Sequence, residues 1–140
     1  MRSAASIVVI VAVLGFGSAS IANAQISRLH AKKVVPSGKR SMLGSTTQLD
    51  ANCNFVGFSP AIVLQQPESG SLSVGRGNEY PQYNFRNDRY KRRFKKYPAE
   101  RLFYTSRPGF SGMDHFQIEH LDSNGAAQIT DFDVLVQQLQ

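Results

Sequence analysis

"RPGFSGMDHFQIEHLDSNG", residues 107–125, reads as two turns with a strand between them. Pro108, Gly109 and Gly112 supply a compact irregular turn, because proline presets one dihedral and glycine accepts positive φ. Asp114 follows, a short carboxylate suited to accept hydrogen bonds from backbone amides that the turn leaves unpaired. In "DHFQIEHLD", Phe116 and Ile118 share one face while His115, Gln117 and Glu119 share the other. That alternation marks a half-buried antiparallel strand. Asp122, Asn124 and Gly125 then form a reversal, and "AAQITDFDVLVQQL" returns as the partner strand. Ile129 is out of phase with Phe132, Val134 and Val136, which predicts a bulge near Thr130 and Asp131.

Working toward the amino terminus, the same texture holds from Asn52 onward: short apolar runs punctuated by Pro and Gly, as in "FVGFSPAIVLQQPESGSLSVGRG". Residues 61–66 are expected as one strand, "PESG" as a turn, and residues 71–74 as the neighbouring strand. The predicted core is the face carrying Phe116 and Ile118, completed by Ile62, Leu64, Leu102, Val134 and Val136. There are no internal repeats.

The order "FYTSRPGFSGMDHFQIEHLDSNGAAQITDFDVLV" resembles the carboxy-terminal half of bacterial Ig-like and cadherin-like modules. Their pattern runs from a Tyr-x-Pro start through Gly-Phe-x-Gly-x-Asp-x-Phe, a strand and an Asp-x-x-Gly turn to a valine-rich last strand. Tyr104 stands at the start, with Pro108 further along. Gly109, Phe110, Gly112, Asp114 and Phe116 match the central motif, Asp122 and Gly125 the turn, and Val134 and Val136 the last strand. "VLQQPESGSL" is similar, more loosely, to an earlier Pro-x-x-Gly hairpin of these modules. The resemblance implies an all-β fold, an Ig-like antiparallel β-sandwich with Greek-key connections, used for adhesion, binding or spacing at the cell envelope.

The chain of 140 residues, 41% of them apolar, suits one compact domain. Its start reads as a signal peptide over residues 1–24: Arg2, the apolar run "ASIVVIVAVLGFG", then Ala22, Asn23 and Ala24 as an A-x-A cleavage site. The run is shorter than the ~20 apolar residues of a spanning helix, so no membrane anchor is expected after cleavage. The expected location is periplasmic or secreted. Residues 25–50 are polar and basic without an apolar period, and are expected as a flexible leader; residues 51–140 form the domain. Cys53 is the single cysteine, read as a buried thiol acting as a small apolar side chain.

Catalytic and metal patterns are weak. "GFSG" lacks a residue of the G-x-S-x-G elbow, and "GRGNEY" lacks the third Gly of a dinucleotide fingerprint. His115 and His120 would project to opposite faces, about 16 Å apart along a strand. His30 lies in the expected leader, with nothing rigid to orient it. Asp114, Asp122, Asp131 and Asp133 offer oxygens for calcium, but Asp114 and Asp122 sit at opposite ends of one strand. A non-enzyme without metal or cofactor is the resulting expectation.

One constellation carries a functional reading. In "RNDRYKRRFKKY", Arg86, Arg89, Lys91, Arg92, Arg93, Lys95 and Lys96 crowd into residues 86–96, whereas residues 108–140 carry five acids and no Lys or Arg. The net charge is +6, one less without Arg2. Such a cluster attracts phosphate-rich or acidic polymers, and Tyr83, Phe85, Tyr90, Phe94 and Tyr97 are interleaved where they could stack on bases or sugars. A second reading is equally open: dense Lys and Arg guard an exposed edge strand, with the aromatics as its buried side. The segment reads as a strand or long ordered loop, although Tyr90, Phe94 and Tyr97 also fit a short helix ended by Pro98. For an exported chain, lipopolysaccharide or acidic glycan ranks ahead of nucleic acid as partner. The expected function is a non-catalytic envelope module that binds or spaces. The alternative is an assembly subunit meeting another envelope protein or itself, its basic surface against the acidic surface of residues 114–133.

Overall fold

A computed structural model describes residues 26–122 and 125–140, and shows nine strands and no α-helix among them. The expected signal peptide, with its cleavage site, and Asn124 of the reversal lie outside the described residues.

The strands are β1 (Ile26–Pro36), β2 (Ser41–Thr46), β3 (Gln48–Leu49), β4 (Phe55–Gly57), β5 (Ile62–Gln65), β6 (Gly70–Glu79), β7 (Tyr97–Ser106), β8 (Gly112–Leu121) and β9 (Ala127–Gln137). One sheet has the order β1-β9-β8-β5, another β2-β7-β6, and β3 pairs with β4. All pairings are antiparallel except β1 with β9, which is parallel, so the four-stranded sheet is mixed and the expectation of wholly antiparallel sheets is corrected.

The stretch at residues 107–125 folds much as its pattern dictates. Gly109 takes φ +79° and Gly112 φ +132°, conformations closed to most side chains, and the Phe110 amide donates to the Arg107 carbonyl. β8 and β9 then pair without a register shift, from Gly112 opposite Val136 to Leu121 opposite Ala127. The Asp122 amide donates to the Ala126 carbonyl, and the Asp122 carboxylate accepts the Ala126 amide, which closes the reversal. The bulge expected near Thr130 and Asp131 is absent. Ile129 and Thr130 are both buried, on opposite faces of β9, which is a central strand flanked by β1 and β8. A strand shielded by two neighbours can bury residues on both faces without a kink.

The residues expected as a flexible leader supply β1, β2 and β3 instead. β1 is an edge strand whose side chains are mostly exposed; only Val35 is buried and only Ala31 among the rest packs against the core. Its place is secured by backbone pairing to β9 along its whole length, which needs no apolar period in the side chains.

Tyr104, Phe116 and Phe132 stack in the core, with ring centroids 6.1 Å and 4.8 Å apart for the successive pairs. Val35, Leu43, Ile118, Val134 and Val136 complete it, so both larger sheets contribute; Leu72, Leu102 and Val63 pack at its border. Ile62 and Leu64, expected inside, are 48% and 47% exposed. β5 has the opposite phase, placing Ala61 and Val63 inward, and its pairing to β8 shifts register between Val63 and Gln65. β5 and β6 also do not form a hairpin. β5 pairs with β8 and β6 with β7, so "PESG" carries the chain from one sheet to the other.

That crossing is held by Asp114, which is 3% exposed. Its Oδ1 accepts the Glu68 amide at 3.0 Å, and its Oδ2 accepts the Ser69 amide at 2.9 Å and the Tyr104 hydroxyl at 2.8 Å. The amides that Asp114 satisfies therefore belong to "PESG", apart from the adjacent His115 amide at 3.0 Å. Burial, and then the Asp114 hydrogen bond, pushes the Tyr104 pKa above its ordinary value.

Candidate functional site: a basic, aromatic loop between β6 and β7

Residues 80–96 connect β6 to β7 as an ordered loop containing one short 3-10 helix, Asp88–Arg92. Of the strand or long ordered loop expected from the sequence, the segment is the loop, and the short helix within it stops at Arg92 rather than running to Pro98. Its turns are local: Asn84 Oδ1 accepts the Arg86 amide, and Asn87 Oδ1 accepts the Arg89 amide at the helix start. The Tyr90 carbonyl takes the Arg93 amide and the Arg92 carbonyl takes the Lys95 amide, so the chain turns again before Tyr97 opens β7. A period of i, i+4, i+7 in the aromatics here reflects successive tight turns rather than one α-helix.

The loop is tied down at one side. Arg89 Nε donates to the Asp50 carbonyl at 2.9 Å, and its guanidinium lies 5.7 Å from the Tyr83 ring. Tyr97 is buried with Leu49 and Cys53, and Tyr83 and Phe55 pack against them. The thiol of Cys53 is thus part of a small second core beneath the loop.

The predicted anion-binding residues divide by this anchoring. Arg89 is half-buried and structural. Arg93 is half-buried, its guanidinium 4.2 Å from the Tyr90 ring and 4.3 Å from that of Phe94. Arg86, Lys91, Arg92, Lys95 and Lys96 are exposed. None of the seven forms an ion pair among the described residues, whose ion pairs all lie elsewhere. Because the cluster is a loop rather than a strand, it has no ladder of its own to guard, and the edge-protection reading loses its structural basis.

The acidic side is less available than its sequence suggests. Asp114 is buried, and Asp131 lies 3.8 Å from Arg28 and accepts from Gln117 at 2.6 Å. Asp133 accepts His30 Nε2 at 2.6 Å and His115 Nδ1 at 2.5 Å. These hydrogen bonds, His30's first and then His115's, hold the Asp133 pKa below the usual carboxylate value. Sequence reasoning missed this cluster, because His30 and Asp133 are 103 residues apart and meet only through the β1–β9 pairing. His120 bonds Gln128 on the other side of β8, as strand geometry requires.

Between the two larger sheets a cavity of about 570 Å³ opens beside the loop, lined among others by Tyr80, Tyr83, Arg89, Glu100, His120 and Thr130. Glu100 is buried there and accepts the Ala61 amide at 2.9 Å. Among the described residues no group of three or more His, Cys, Asp and Glu is arranged to hold a metal ion, and no helix is long and apolar enough to cross a membrane.

No family model and no curated protein matches the chain. A chain of the solved structure of PbICP-C in complex with falcipain-2 aligns with 81% of this chain and 92% of its own length, at 11% identity and a TM-score of 0.36. A score that low does not establish a shared fold.

Proposed function

We propose that this chain is a non-catalytic Ig-like β-sandwich module with Greek-key connections, periplasmic or secreted, which binds anionic envelope polymers through the loop at residues 86–96. The fold part is supported by the strand orders β1-β9-β8-β5 and β2-β7-β6, by a core to which both sheets contribute, and by the "PESG" crossing between them. The location is supported by the charged, apolar and A-x-A succession of residues 1–24.

One observation carries the binding reading: Lys91, Arg92, Lys95 and Lys96 are exposed on an ordered loop and have no carboxylate partner among the described residues. Unneutralised cations held close together raise the local potential and release counterions when a polyanion replaces them. Head-to-tail self-association, or docking to the acidic face of another envelope protein, is the weaker reading. Three of the five acids it would use, Asp114, Asp131 and Asp133, are already buried or paired within this chain.

The test is binding of residues 25–140 to lipopolysaccharide and to heparin as an acidic glycan. Replacing the exposed Lys91, Arg92, Lys95 and Lys96 by Ser is expected to abolish binding while shifting stability by only about 0.5 kcal/mol, as surface substitutions usually do. Binding should fade as salt shortens the screening length from about 8 Å at physiological strength toward about 3 Å near 1 M. Unchanged affinity in the variant rejects the site.

A further inference from the structure

The two most exposed large apolar side chains among the described residues both stand on the basic loop: Phe94, 79% exposed, and Phe85, 73% exposed. Each has a cation at its ring: the Arg93 guanidinium lies 4.3 Å from the Phe94 centroid, and that of Arg86 lies 5.5 Å from Phe85. Lys95 sits 5.3 Å from Tyr97 and Lys96 5.1 Å from Tyr80. We infer that this loop docks on a lipid bilayer bearing anionic headgroups, with Phe85 and Phe94 entering the headgroup boundary and the surrounding Lys and Arg engaging phosphates. The inference rests on the anion-binding reading above and names its partner.

Two observations favour a bilayer over a glycan or a single-stranded nucleic acid. A polymer that binds by stacking needs open ring faces. Here the chain's own cations already lie over one face of Tyr90, Phe94, Tyr97 and Tyr80, so each of these rings has at most one face left for a stacked base or sugar. A hydrophilic polymer alone also gives no reason for two nearly uncovered phenylalanines. A bilayer boundary does, since it takes up the apolar ring while Lys and Arg keep their charged heads at the phosphates along flexible apolar stems. Juxtamembrane and surface-lying segments combine these same two elements, basic charge for anionic lipid and aromatic rings at headgroup depth.

The chain has no tryptophan, so Phe94→Trp introduces a single fluorescent reporter; Phe85→Trp is the second reporter if the first fails to fold. The probes are unilamellar vesicles of equal parts phosphatidylglycerol and phosphatidylcholine, vesicles of phosphatidylcholine alone, and heparin. On the anionic vesicles the tryptophan emission is expected to shift to the blue and to be quenched by brominated lipid, with little change on phosphatidylcholine alone. The double variant Phe85→Ser, Phe94→Ser should lose about tenfold or more in vesicle affinity while keeping heparin binding within about twofold. Heparin binding without any shift on vesicles overturns the bilayer inference and leaves the anion-binding surface standing. A double variant that binds anionic vesicles like the parent also overturns it, because the attraction would then be charge alone. Loss of both heparin and vesicle binding in the unsubstituted chain removes the two readings together.

Discussion

Tyr104→Phe isolates one of the four hydrogen bonds that converge on the Asp114 carboxylate. Removing the hydroxyl donor should cost about 1.5 to 3 kcal/mol, the usual range for a hydrogen bond to a charged group. Asp114→Ala also takes the acceptor from the part-buried amide hydrogen bonds of Glu68 and Ser69, so it should cost more than about 3 kcal/mol. Urea unfolding of both variants checks this, and a neutral Tyr104→Phe would mean that the crossing holds without its clamp. A second residue, Asp133, ties stability to pH. Its folded pKa lies below the ordinary value of about 3.9, so its contribution is complete above that pH and is lost as pH falls through the folded pKa. In the double variant His30→Ala, His115→Ala, the deficit in Tm should therefore be present at about pH 5 and should narrow below about pH 4. A deficit that stays constant into acid would assign the histidines a packing role. The Asp114 role as an acceptor of turn amides was legible from its place after "RPGFSG"; which amides it takes was not, because they arrive from the "PESG" connection, 46 and 45 residues away in the chain.

Strand phase is the property of an element, and β8 and β5 contrast in how openly they display it. Phe116 and Ile118 alternate with polar neighbours, and the structure buries both. In β5, "AIVLQ" is apolar at consecutive positions, so either phase satisfies the pattern, and edge position leaves Ile62 and Leu64 partly in water. Phe116→Ala should cost about 3 to 5 kcal/mol, since it removes the middle ring of the Tyr104–Phe116–Phe132 stack. Ile62→Ala should cost no more than about 0.5 kcal/mol, in line with other surface substitutions. Comparable losses in the two would show that β5 packs in the phase its sequence first suggests. The loop at residues 80–96 was legible as basic and aromatic but not in its shape, because its turns are set by Asn84 and Asn87 side chains and by the anchor of Arg89 on Asp50.

At the scale of the whole molecule, β1 decides whether the four-stranded sheet is complete. Removing residues 26–36 leaves β9 with an unpaired edge and takes away His30, the first of the two partners of Asp133. An exposed edge is a template for pairing with other chains. The truncated protein is expected to aggregate or to lose cooperative unfolding, read by far-UV circular dichroism during a thermal melt alongside size-exclusion chromatography. A truncation that melts and elutes like the intact domain would restore the flexible leader. The same sheet face carries Arg28–Asp131–Gln117 and His30–Asp133–His115 across three strands. These rows engage Asp131 and Asp133, two of the acids that a head-to-tail partner would have needed.

Sequence by itself determined the β8–β9 hairpin, the turn before it and the all-β character, because each depends on contacts between residues close in the chain: positive φ at glycines, alternation at period two, and a short reversal. It also located the strongest charge cluster, at residues 86–96, without settling whether that segment is strand, loop or short helix. Tertiary structure decided the rest. The parallel pairing of β1 with β9, the crossing at "PESG" and the meeting of His30 with Asp133 join segments separated by tens of residues, and backbone pairing at an edge leaves no apolar signature to read. Whether a cation stands free or is neutralised likewise depends on which carboxylates the fold brings near it, and none reaches Lys91, Arg92, Lys95 or Lys96 among the described residues.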